Sequence, residues 1–397
     1  MRKIFLVAFI CCCAQVVAAQ EMLLEVSAGK CDRYAMLRLQ LPKPLPAGNY
    51  QLTNPKTGQM VPAQLADSAT LVFIPAESMA AGTSTAFVLK RSTSRPKSGI
   101  TVTKQDNGLL VKVKDKPLFF YHTKEATPPA DSPSYYRRSG FIHPLYSPGG
   151  SVLTDDFPAG HAHQHGIFMT WVNTIFRGQK LDFWNQHQKT GTVAHAEVIS
   201  IEEGPIFTRI KTKLRHISLV HGPVLEEVWT ITVYPFANNF VFDLESEQVN
   251  ITNDTLYLNQ YHYGGLAFRG SREWNSHDTA HYQNPWQITT SEGKDNSNAN
   301  HSHARWVDAS GKLNGRVSGA TVFGHPGNFR YPQAIRLHPD MPYWSYAPVV
   351  DGPFTLAPGK PYKSRFRYFV HVGILDADLG ESINADWVEP ATVKVIN

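Results

Sequence analysis

Cysteine is scarce. There are 4 in 397 residues, and Cys11, Cys12 and Cys13 all sit in the first apolar run. Residues 1–19 have the pattern of a secretory signal: Arg2 and Lys3, the run IFLVAFICCCAQVV, then the small Ala18-Ala19 exit. Once that segment leaves, only Cys31 remains. One cysteine closes no internal disulfide and forms no CxxC metal site, so burial must hold the fold together. The opening run is shorter than the roughly 20 residues a spanning helix needs, and no later apolar stretch approaches that length. The expectation is an exported protein, periplasmic or extracellular, and not an integral membrane protein.

Charge of one sign is also lacking. Lys plus Arg is 38 against 33 for Asp plus Glu, and the small excess is spread along the chain, which excludes nucleic acid as the expected partner. The local basic stretch Arg209-Ile210-Lys211-Thr212-Lys213-Leu214-Arg215 alternates with period two. Its cations belong to one face of a strand, read as a solvated face, with Ile210 and Leu214 on the other. P-loop, GxGxxG, GxSxG and HExxH motifs are all missing, which leaves serine nucleophiles and dinucleotide chemistry without support.

What is present is strand pattern. A hydrophobic content of 42% is enough for a large core and one or two domains. Residues 20–120 carry short apolar runs (MLLEVSA, YAMLRLQL, ATLVFIPA, STAFVLKR, LLVKVKD) punctuated by Pro and Gly, and read as a small β-sandwich-like module. Residues 122–150 are rich in Pro, Ser and Tyr and read as a connector lying against a surface. Longer strands follow through residues 121–397, with a polar surface loop at 291–304 and a short helix near residues 378–386. The fold class is all-β.

The richest chemistry lies in TDDFPAGHAHQHGIFMTWVNTIFRGQKLDFW, residues 154–184. It holds Asp155 and Asp156, alternate His161, His163 and His165, Trp171, Asn173, Asp182 and Trp184. If this were a strand, the three histidines would share a face, with the outer two roughly 13 Å apart, too far for one ion unless Gly160 and Gly166 supply a bend. No carboxylate follows His165 within four residues. No cofactor is expected, and a metal ion is the lesser option. Acid–base work fits better, because an imidazole titrates near neutrality and a carboxylate can orient it; Asp155, Asp156, Asp182, Glu226, Glu227 and Glu273 are the candidate partners. Tyr261-His262-Tyr263-Gly264-Gly265-Leu266-Ala267-Phe268-Arg269 and His325-Pro326-Gly327-Asn328-Phe329-Arg330 add matching groups.

HPLYSPGGSVLTDDFPAGHAHQHGIFMTWVNTIFRGQKLDFW, then YHYGGLAFR, then HPGNFRYP resemble the bacterial family called methane oxygenase PmoA-like, over residues 121–372. Members read HPHHRG or HPHQHG where this chain has HAHQHG, so His161, His163 and Gly166 match both versions and His165 only the second. The activity in that name is not implied, since the enzyme it refers to spans the bilayer repeatedly. The resemblance implies a large galactose-mutarotase-like β-supersandwich following the N-terminal module, and by fold analogy a sugar-active site. The expected function is cleavage of a glycosidic linkage by hydrolysis or elimination. His161, His163 and His165 are the acid–base candidates, with His262 or His325 facing them and Asp182 or Glu227 as orienting or basic partner. Asp156, Asn173, Tyr263, Arg269, Asn328 and Arg330 would hold the carbohydrate, and Trp171 and Trp184 would stack on it. The alternatives are a non-catalytic glycan-binding protein and a metal-dependent oxidoreductase or hydrolase using the HxHxH segment.

Overall fold

The computed structural model describes residues 21–396 apart from 34, 35 and 95, so the signal segment read at 1–19 lies outside the described residues. Nearly all regular structure is antiparallel strand, arranged in one seven-stranded, one four-stranded and two eight-stranded sheets. Among the described residues no helix is long and apolar enough to cross a membrane.

The N-terminal module is the seven-stranded sheet. Its strands Met22–Ser27, Leu37–Gln40, Asn49–Thr53 and Ser84–Ser92 largely alternate buried and open positions, and with the mostly buried Thr70–Phe73 they gather Leu24, Val26, Leu39, Leu52, Phe73 and Phe87 into a separate core. The module ends earlier than the sequence reading placed it. Ile100–Gln105, Gly108–Val113 and Lys116–His122 join an eight-stranded sheet of the larger body, while Thr392–Ile396 returns from the far end of the chain to pair with Met22–Ser27. Short alternating strands look alike in sequence whichever sheet they join, so their partners are invisible before folding.

The two eight-stranded sheets pack face to face. Phe119 and Tyr121 of one sheet meet Phe242 and Trp229 of the other, at ring-centroid distances of 5.4 and 6.1 Å. Each large apolar side chain fully buried there contributes about 1.5–3 kcal/mol. Thr208–Ser218 shows the rule in one strand: Ile210 and Leu214 point inward, whereas Arg209, Lys211, Lys213 and Arg215 point outward. Lys213 pairs with Glu197 at 2.8 Å and Arg215 with Glu226 at 3.2 Å, so the basic stretch is a solvated, neutralised face. The 122–150 passage is laid down firmly. It buries Arg138 and contributes the strand Ile142–Leu145 to the sheet. The single α-helix among the described residues, Ala377–Val388, starts where Asp376 accepts hydrogen bonds from the Asp378 and Leu379 amides.

A buried ionic cluster joins module to body. Asp243 accepts from Arg367 Nε at 2.7 Å and Nη2 at 3.1 Å, from the Tyr234 hydroxyl at 2.8 Å and from Arg38 of the N-terminal module at 3.4 Å. Burial works to raise the Asp243 carboxyl, but the Arg367 charge and hydrogen bond reverse that and hold it below the usual range. Removing the carboxylate strands Arg367, which is 1% exposed. Asp243→Ala should therefore cost about 3–5 kcal/mol. Chemical denaturation against wild type measures this, and a loss within about 0.5 kcal/mol, typical of a neutral surface site, would show that the cluster is dispensable.

Candidate functional site

The site is built on the outer face of one eight-stranded sheet. Ile167–Thr170, Gly265–Arg269 and Tyr343–Tyr346 are neighbours there, with Phe168 opposite Ala267 and Ala267 opposite Ser345. Period-two alternation sends Ile167, Met169, Leu266, Phe268, Trp344 and Tyr346 into the main core. The alternate set, Phe168, Ala267 and Tyr343, packs instead with Phe141, Val172 and Trp184 into a second apolar layer, and this layer is the floor of the pocket.

The histidine segment crosses this floor as turns, not as a strand. The His161 amide bonds the Pro158 carbonyl and the Gln164 amide bonds the His161 carbonyl, with Gly160 at φ 78°. The chain then rejoins the sheet at Gly166, where a Cβ would run into the Ile142 carbonyl oxygen. The three imidazoles therefore separate. His161 and His163 reach the pocket. His165 turns inward, boxed by Phe141, Phe157 and Phe168 at 4.9, 4.9 and 6.0 Å, and donates from Nδ1 to Asp156 at 2.5 Å. Burial keeps His165 neutral, well below its ordinary value, and lifts the Asp156 carboxyl to about 6 against the opposing charges of His143 and His122. Among the described residues no group of three or more His, Cys, Asp or Glu side chains is set to hold a metal ion.

A cavity of about 230 Å³ opens above the floor, lined by His161, His163, Gln164, Trp184, Tyr261, His262, Tyr263, Arg336, His338 and Tyr343. Imidazoles form one wall: His163, His161 and His338 follow one another at centroid spacings of 5.4 and 5.6 Å, with His187 outside the lining at 6.1 Å from His163. Aromatic rings form the other. Tyr263 lies 4.7 Å from His262, 5.0 Å from Tyr261 and 5.0 Å from Trp184. Burial lowers every one of these pocket imidazoles that is perturbed, His163 to about 3 and His338 to about 4, with neighbouring histidine and arginine charges adding to the effect. His161 and His262 are lowered for the same first reason. At neutral pH the wall is a set of free bases. Among the described residues no carboxylate lines the cavity.

Of the other residues expected at the site, some stand directly behind it. Arg269 is buried and donates from Nη1 to Gln164 Oε1 at 3.0 Å; burial lowers its guanidinium to about 10. Asp182 accepts from the Trp184 and Asn185 amides and from the Asn185 side chain, and Asn185 in turn bonds the Tyr263 hydroxyl at 2.8 Å. Asp182 thus shapes the turn that presents Trp184 and does not touch the cavity. Asp155 is engaged by Arg272 at 3.0 Å.

The rest are elsewhere. Glu227 is sealed between the two large sheets, accepting from His216 at 2.8 Å, Trp229 at 2.7 Å and Ser246 at 2.5 Å. Trp171 is core and donates to Gln248. Asn173 sits in a turn at φ 52°. His325 packs 5.0 Å from Trp387 in a different depression, beside Arg38 of the N-terminal module. Asn328 pairs with the Arg365 backbone, and Arg330 clamps the Pro348 and Gly352 carbonyls at 2.6 Å each. Those two residues fix loops and do not line the cavity. Sequence reasoning did not single out Gln164, Arg336, His338 and Tyr343. Gln164 and Tyr343 lay within strand-like or histidine-rich text, whereas Arg336 and His338 carry no local signal at all. The loop at 291–304 is also closer to the site than its composition implied: Asn300 accepts from Arg336 at 3.2 Å and His301 lies 3.3 Å from the His262 carbonyl.

Comparison with solved structures finds likeness to an α-mannosidase from Enterococcus faecalis V583, with 11% identity and a TM-score of 0.37 over 95% of this chain. This chain spans 46% of that protein's length. A galactose mutarotase related enzyme from Lactobacillus acidophilus is similar at 10% identity and a TM-score of 0.30, over 68% of this chain and 97% of the other. A candidate aldose 1-epimerase from Escherichia coli K12 is similar at 13% identity and a TM-score of 0.30, over 70% of this chain and all of the other. Comparison with curated proteins found no match. Residues 108–385, which include every residue lining the pocket, match a family model, and the chain belongs to the family of unknown function DUF6807.

Proposed function

We propose that this pocket receives a sugar ring and that the protein, once exported, cleaves a glycosidic linkage by imidazole-driven acid–base chemistry. The observation that carries the reading is the composition of the wall: free-base imidazoles facing an aromatic surface across a cavity of monosaccharide scale. Trp184, Tyr261 and Tyr263 offer the apolar faces on which the C–H side of a sugar ring stacks. His163, flanked by His161 and His187, is the base in this reading, and His338 is a proton donor. The Asp340 amide donates to His338 Nδ1 at 3.2 Å, which leaves the neutral ring's proton on Nε2. The Asp156–His165 pair positions the loop without touching substrate.

The experiment is a screen of the purified protein on plant and algal glycans, with and without prior oxidation of the sugar. Product should form from at least one of them, and His163→Ala should lower kcat by roughly a hundredfold or more, the range in which general acid–base catalysis operates. His325→Ala, remote from the pocket, should leave kcat and KM within about twofold. A glycan that binds and is never turned over by wild type would make the protein a binding module instead.

The acid limb of the rate profile gives a second check. A base whose folded value is depressed stays unprotonated until pH falls through that depressed value, and His163 is lowered to about 3 by burial and by the charges of His161, His165, His187 and Arg269. Hence kcat/KM should stay flat as pH falls from about 7 to about 5. A decline centred on the ordinary imidazole value of about 6.5 would remove His163 from the role of base.

A further inference from the structure

The hydrogen-bonding character of the pocket is lopsided. Arg269, which can only donate, takes Gln164 Oε1 and so leaves the Gln164 amide N–H₂ as the end available to the cavity. Trp184 is 1% exposed, lines the cavity, and has an indole N–H with no partner. The Asp340 amide sets His338 with its Nε2 proton outward. Arg336 spends one nitrogen on Asn300 at 3.2 Å, and among the described residues no carboxylate lies within ion-pair reach of it. Behind the wall, Arg269 Nε and Nη2 are buried without partners. Uncommitted N–H donors and the Arg336 charge stand beside the imidazole lone pairs around a space that, among the described residues, no Asp or Glu lines. A neutral sugar hydroxyl would be served by the imidazole lone pairs and phenol oxygens, but it would leave the Arg336 charge without a counter-charge. A carboxylate only accepts, and each charge-assisted bond it makes is about twice as strong as a neutral one.

Resting on the reading of a sugar-cleaving pocket, we infer that the sugar is a uronate whose carboxylate is held by Arg336 and the neighbouring donors, and that the cleavage is a β-elimination. The same lining that favours a carboxylate disfavours hydrolysis by paired acids, which needs two carboxyl groups flanking the linkage. Elimination needs neither. An imidazole takes the proton from the ring carbon bearing the carboxylate. The electron pair of that C–H bond becomes a carbon–carbon double bond to the adjacent ring carbon, whose bond to the glycosidic oxygen breaks. The departing oxygen leaves with that bonding pair and takes a proton from His338 or a pocket phenol. The base then returns its proton to solvent and the acid is recharged from it, so no water is consumed and no oxidant is required. Removing a proton next to a carboxylate builds negative charge beside negative charge, so the step depends on cations at the acid group, and these are what the pocket supplies.

The test uses the full mature chain with four probes: an oligouronate, its methyl ester, a neutral oligosaccharide and a sulfated neutral oligosaccharide. Binding is read by calorimetry, and cleavage by the ultraviolet absorbance of the conjugated double bond together with incorporation of labelled oxygen from water. The oligouronate should bind most tightly and yield unsaturated, unlabelled product. Arg336→Ala should weaken its binding roughly tenfold or more, and Arg336→Lys should restore part of the loss; matched melting curves exclude a folding defect. Equal affinity for the acid and its methyl ester would overturn the uronate assignment, as would preference for the sulfated probe. Cleavage of any probe with label incorporated would overturn elimination while leaving glycan cleavage intact. Binding of none of the four overturns the uronate assignment, and if the wider glycan screen is also blank the sugar-cleaving reading falls with it.

Discussion

The contact on which the site depends is the one between Asp156 and His165. Their backbones form an isolated antiparallel bridge, their side chains meet at 2.5 Å, and the adjacent Gly166 amide reaches the Asp155 carbonyl while its own carbonyl accepts from Arg269. Residues 157–164 are thereby closed into a loop whose ends cannot drift. Closing so short a loop costs conformational entropy once, and fixing its base spares that cost at the moment a ligand arrives. His161, His163 and Gln164 project from it over the aromatic floor. A charged Asp156 in such surroundings would be expensive alone. Burial raises the Asp156 carboxyl, and His143, His122, the Phe157 amide and Arg138 work against that rise.

The protein uses the same residue types in two opposite ways. Inside the sandwich, His216 Nε2, Trp229 and Ser246 complete the bonding of the Glu227 carboxylate, so that carboxylate is held and has nothing left to offer. On the outer face, His163, Trp184 and Arg336 keep donors or lone pairs uncommitted around an open volume. Polar groups packed in an interior are expected to be paired, and those that stay unpaired beside a cavity call for an explanation.

Much of the fold was legible because strand alternation is written locally. Thr208–Ser218 declares its two faces residue by residue, and its outward cations proved to be paired surface charge. Sheet partnership was not legible: nothing in LLVKVKD says whether it joins the N-terminal module or the larger body. The site divided along the same line. His161, His163, Trp184, His262 and Tyr263 were found because they cluster in sequence, but clustering also promoted Trp171 and Asp182, whose groups face inward or cap a turn. His165 looked equivalent to its neighbours until Gly160 and Gly166 turned it the other way. Arg336 and His338 reach the pocket through a strand more than a hundred residues away, and only the register of Ile335–Leu337 on Tyr343–Tyr346 brings them there.

Placing the pocket on the outer face also explains why its charge balance can be so uneven. A cluster of cationic and neutral-base groups without an acid would be untenable between the sheets, where each unmatched charge costs several kcal/mol. At the surface of the second apolar layer, solvent can meet that cost until a ligand displaces it. Arg269 shows how far this is exploited. It is fully buried, its neighbour Asp155 is taken by Arg272, and its one short side-chain bond to oxygen goes to an amide, not to an acid. Asp155 and Asp278 offset its charge only from a distance, and its hydrogen bond orients Gln164 at the cavity. A site built in this way favours the charge that it lacks, which makes the absence of Asp and Glu from the wall a property of the site as specific as any residue present in it.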